Sequence, residues 1–152
     1  YMPRVRPFPR VRELLLKIRS AGKKVALASS SKKDQLQTLK MIAGIDDLVD
    51  CETSADDIES SKPDPDVFHA ALKCLDPIRA SETVAVGDTP YDASAAAKAG
   101  IACIGLLCGG FREQDLRAAG CVEVYRDPAQ LLAEYGRSPL VAGSSPQENK
   151  VA

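Results

Sequence analysis

Two carboxylates four positions apart, Asp88 and Asp92, follow an apolar run in residues 84–92, with Gly87 just before the first of them. A carboxylate at the end of a buried strand is costly unless a metal ion or a cationic partner compensates it. The same spacing also serves plain architecture, with Asp88 opening a turn and Asp92 supporting a helix N-terminus. Two further groups bear on the choice. Ser29 is a hydroxyl closing the apolar segment 24–29, and Lys62 stands directly before Pro63. Each is ordinary alone, a cap and a loop. Brought to one edge of a sheet, they make a hydrogen-bond donor, a fixed positive charge and a cation site, which is what a phosphate and its metal require.

The elements that must position these groups can be read from periodicity. Val11, Leu14, Leu15 and Ile18 form one helical face with Gly22 to end it, and residues 24–29 read as a strand covered on both faces. Ser31 and Asp34 mark a helix start, Leu36, Leu39 and Ile42 its stripe, and Gly44 its stop. A short strand is expected around residues 48–51. A helix should then open at Asp64-Pro65, with Pro65 at its first position and Val67, Phe68, Ala71, Leu72 and Leu75 on one face. His69, the sole histidine, lies off that face and reads as solvated. Strands at 83–87, 101–106 and 122–124 alternate with helices at 90–99, 112–119 and 128–135. Residues 1–9 form a lead-in, and residues 136–152 read as a disordered tail. Such alternation implies right-handed crossovers and a Rossmann-like α/β parallel sheet with helices on both faces. Ligands then sit beyond the strands' carboxyl ends, where Ser29 and Asp88 fall.

The chain has 152 residues, enough for one domain without disulfides, and its 20 basic and 21 acidic side chains leave a net charge of −1. That balance provides no global field for nucleic acid or an anionic membrane, so an anion must be caught locally. The five cysteines are odd in number and lack a C-x-x-C pair, and they read as reduced core residues of a cytoplasmic protein. No apolar run is long enough to span a bilayer. The sequence says nothing of oligomeric state.

The ordered segments ALASSS, SKPDPDVF and VGDTPYDASAAAKAGI together resemble the second, third and fourth motifs of the haloacid dehalogenase superfamily. Within it, the likeness is to the phosphoglycolate phosphatase and β-phosphoglucomutase-like branch, and it runs from about residue 5 to 135. The resemblance implies a Mg²⁺-dependent phosphohydrolase acting on a small phosphorylated metabolite through an aspartyl-phosphate. It gives Ser29 and the backbone of Ser30 to a phosphate oxygen, Lys62 to the phosphoryl charge, and Asp88 and Asp92 to the metal. Gly87 stands where some mutase relatives carry an acid, which favours phosphatase over phosphomutase.

The family's first motif, a strand ending in D-x-D that supplies the nucleophile, has no match. Asp64-Pro65-Asp66 opens a helix, and Asp50-Cys51-Glu52-Thr53 comes after the second motif, so both are decoys. The chain begins at Tyr1 rather than Met, and the expectation is a partial core, residues 1–135, lacking the nucleophile strand, lacking the cap, and inactive by itself. A non-catalytic module that binds phosphate and metal, or dimerises through its unpaired sheet, is the alternative.

Overall fold

The structure, a computed structural model, describes residues 10–28, 32–54, 64–141 and 150–151. Its first helix, α1 (Val11–Ser20), buries Leu14 and Ile18 one turn apart and ends before Gly22, whose φ of 82° suits a glycine. Strand β1 (Ala26–Ala28) follows. Helix α2 (Lys33–Ala43) stops at Gly44 with φ 67°. Strand β2 (Cys51–Thr53) and helix α3 (Asp66–Cys74) complete the first half. The second half alternates strictly: β3 (Thr83–Gly87), α4 (Pro90–Lys98), β4 (Ala102–Leu106), α5 (Glu113–Ala118), β5 (Cys121–Tyr125) and α6 (Pro128–Ala133). A last short strand is β6 (Lys150–Val151).

All the ladders are parallel, as the alternation requires, but they form two sheets rather than one. β1 pairs with β2, and the other sheet runs β5-β4-β3-β6. Between β1 and β3 lies a cavity of about 380 Å³, walled by Ala26 and Ala28 on one side and by Val86, Gly87 and Asp88 on the other. Among the described residues the architecture is thus the parallel α/β sheet foreseen, divided at this cavity.

Helices hold the halves together. Alternate β3 residues face opposite sides. Val84, with Ile104 and Leu106 of β4, meets Leu14 and Ile18 of α1, together with Val25, Tyr125 and Leu131. Ala85 and Cys103 meet Val67 and Phe68 of α3 on the other side, and Ala28 packs against that cluster. α1 also reaches the β1–β2 half through charge: Arg12 Nη1 meets Asp47 at 2.8 Å and Arg19 Nη1 meets Asp50 at 2.6 Å.

Several expectations need correction. The second strand starts at Cys51, because Leu48 is taken into a 3-10 turn (Asp46–Leu48) that buries it. Pro65 is the residue before α3 rather than its first, and Asp64 Oδ1 accepts the Asp66 N–H at 3.2 Å. Order continues past residue 135: a 3-10 turn spans Tyr135–Arg137, and Ser138 and Leu140 are fully buried, Leu140 in the same cluster as Leu14. The cysteines are not all reduced. Cys51 and Cys74 are joined as a disulfide between β2 and α3, with Cα atoms 6.3 Å apart, a contact that sequence spacing does not reveal. His69 is exposed, as its position off the apolar face required.

Candidate active site

The turn from β3 into α4 is built by a short chain of hydrogen bonds. Thr89 precedes the helix, Pro90 takes its first position, and Asp92 lies one turn in. The Thr89 hydroxyl accepts the Asp92 N–H at 3.1 Å. In return, Asp92 Oδ2 accepts from Thr89 N at 3.2 Å, Thr89 Oγ1 at 3.1 Å and Asp88 N at 3.1 Å. Asp92 is only 7% exposed, so these donors compensate a buried carboxylate. Its carboxylate also lies over Gly87. A Cβ there would stand 2.7 Å from Asp92 Cγ and Oδ2, so residue 87 has no room for any side chain.

Asp88 is held from the other side. The turn after β4, Leu107–Gly109, packs on it, and a Cβ on Gly109 would come within 2.8 Å of Asp88 Cβ and Cγ. Asp88 is half-buried and lines the cavity together with Asp92 and Cys108. Burial pushes the Cys108 thiol above its ordinary range, and the neighbouring Asp88 charge adds to this. Beside the turn, Tyr91 and Phe111 meet edge to face with ring centroids 6.4 Å apart.

Asp88 and Asp92 are thus brought together at the wall of the gap. Ser29, Ser30 and Lys62 lie outside the described residues, although Ala28, immediately before Ser29, lines the opposite wall. Among the described residues, no group of three or more His, Cys, Asp or Glu is placed to hold a metal ion. Asp88 and Asp92 alone are two carboxylates, one of them with an oxygen already engaged by three donors, and do not complete an octahedral Mg²⁺ site.

Asp50 and Glu52 have partners of their own. Asp50 Oδ2 accepts from Val25 N at 2.8 Å and Arg19, and Glu52 pairs with Lys40. The sequence reading missed Thr89 and Gly109. Thr89 was legible in principle, since T-x-x-D is close to a capping box. Gly109 was not, because its contact is with a residue on another strand.

The family profile for haloacid dehalogenase-like hydrolases matches residues 3–100. The chain belongs to that family. Among its relatives, a phosphoglycolate phosphatase of Colwellia psychrerythraea is 29% identical over 120 residues, which are 77% of this chain and 53% of that protein. A solved hydrolase from Pseudomonas syringae superposes with a TM-score of 0.79 at 31% identity, over 86% of this chain and 60% of that one. The solved putative β-phosphoglucomutase of Thermotoga maritima gives a TM-score of 0.75 at 25% identity, with the same coverages. The chain spans about half the length, or less, of the curated relatives it matches. No helix among the described residues is long and apolar enough to cross a membrane.

Proposed function

We propose that this chain is the C-terminal part of a Mg²⁺-dependent phosphohydrolase that cleaves a small phosphorylated metabolite through an aspartyl-phosphate, and that it does not turn over alone. The observation that carries this is the position of Asp88, held by Asp92 and Gly109 at the wall of the cavity between β1 and β3. A strand filling that gap and ending in a carboxylate would bring its terminal acid next to Asp88. Asp88 would then be one metal ligand, and Asp92 would fix it from behind. When bound, Mg²⁺ would draw charge from phosphoryl and carboxylate oxygens. Ser29 and the Ser30 backbone would hold a phosphate oxygen, and Lys62 would balance the phosphoryl charge.

Gly87 favours phosphatase over phosphomutase. The acid that some mutase relatives carry there has no space, because Asp92 fills it. A cytoplasmic setting is part of the reading, in keeping with a metabolite-sized substrate.

The test compares this chain with a longer protein carrying an upstream D-x-D strand, on p-nitrophenyl phosphate with Mg²⁺. The longer protein should hydrolyse it and lose activity on Asp88→Ala, and the 152-residue chain should not hydrolyse it. Turnover by the short chain, abolished by Asp88→Ala, would mean the nucleophile lies within these residues. A longer protein that binds phosphate but never releases it would favour the non-catalytic module.

A further inference from the structure

Strand β3 has two edges. β4 takes one of them along Val84–Gly87, and β6 takes the other at only two positions, Thr83↔Lys150 and Val84↔Val151. That second edge faces the gap, since Val86 and Gly87 of β3 and Ala26 and Ala28 of β1 wall the cavity between them. The chain's own C-terminal segment therefore occupies part of the edge that any strand completing the sheet must use. Two strands cannot hydrogen-bond the same backbone groups of Thr83 and Val84.

We propose that residues 150–151 are a removable edge strand: they cover the gap-facing edge of β3 when the sheet is incomplete and leave when another strand enters. An unpaired edge is an invitation to pair with other chains, and covering it is a recurrent protection. A two-position ladder is too short to be strong. It nonetheless forms in this structure, because belonging to the same chain raises its local concentration far above that of a free peptide. Short pairing and a tether together make a contact that persists alone but yields to a longer strand. The entry of another strand rests on the enzymatic reading, whereas the covering of the β3 edge does not.

The test is amide hydrogen exchange on the full chain, which needs neither substrate nor metal, so its outcome is separate from that of the phosphatase assay. The double variant Lys150→Pro, Val151→Pro removes both N–H groups that could join the ladder, whereas Lys150→Ala, Val151→Ala keeps them. Exchange in segment 83–87 should rise roughly tenfold in the proline variant. Segment 102–106 should stay as in the parent, and the alanine variant should match the parent throughout. A synthetic peptide of residues 142–152, added at millimolar concentration to the proline variant, should restore slow exchange in 83–87. Unchanged exchange at 83–87 in the proline variant would overturn the proposal. So would an equal rise at 102–106, since that would be general loosening rather than an uncovered edge.

Discussion

The backbone N–H of Asp88 donates to Oδ2 of Asp92 across 3.1 Å, so the two carboxylates are not equivalent. Asp92 is buried and spends its charge on the turn, and Asp88 is half-buried and lines the gap. Asp92→Ala should therefore lower stability by about 1–2 kcal/mol through loss of the cap. Asp88→Ala should cost less than this, since it leaves the three hydrogen bonds to Asp92 Oδ2 in place. Urea unfolding of the two variants checks this, and equal losses would contradict the division of roles.

The glycines on either side carry a related prediction. Gly87→Ala must displace the Asp92 carboxylate, and Gly109→Ala must displace Asp88. The first should cost about 1–3 kcal/mol as overpacking against a hydrogen-bonded group. The second should cost less, because Asp88 can move towards the cavity. Thermal denaturation of both variants would show the order.

Asp50 gives a pH dependence with a definite sign. Desolvation acts upward on its pKa and is the largest single effect, but the Val25 N–H and Arg19 outweigh it and hold the carboxyl below its ordinary range. The unfolded chain therefore binds a proton first as pH falls. The contribution is complete above the ordinary carboxylate value of about 3.9 and is lost as pH drops through the lower folded value. Asp50→Asn should be less stable than the parent at neutral pH, by about 1–2 kcal/mol, with the difference shrinking below pH ~4. A gap that stays constant down to acid unfolding would contradict it.

Thiol titration tests the covalent framework. The unreduced, denatured chain should show three reactive thiols, Cys103, Cys108 and Cys121, and two more only after reduction. Five before reduction would restore the all-thiol reading.

What the sequence made legible was whatever rests on local rules. Residues 83–87 are a short apolar run, and Pro90 followed by an alanine-rich run and Gly100 bounds a helix, so β3 and α4 are legible nearly to the residue. Leu48 and the last turns were misplaced because tertiary burial decided them. Leu48 turns inward, and Leu140 joins the α1 cluster from beyond an unpromising polar stretch. The Cys51–Cys74 contact depends on how β2 and α3 pack, which no pattern in either segment records. At the site, the Asp88–Asp92 spacing was legible, but their division into a presented and a supporting carboxylate required the hydrogen bonds.

Helix α1 grips its two neighbours by different forces. Towards β3–β5 it uses Leu14 and Ile18, and towards β1–β2 it adds Arg12–Asp47 and Arg19–Asp50. Dissolved ions screen the second kind of attachment and strengthen or spare the first. Among the described residues, α1 is thus clamped by apolar packing on one side and partly by charge on the other, while α3 joins the same halves through Val67 and Phe68. Added sodium chloride should weaken only the charged attachment, lowering stability by no more than the small worth of two solvent-facing ion pairs, and Arg12→Ala should remove part of that salt dependence.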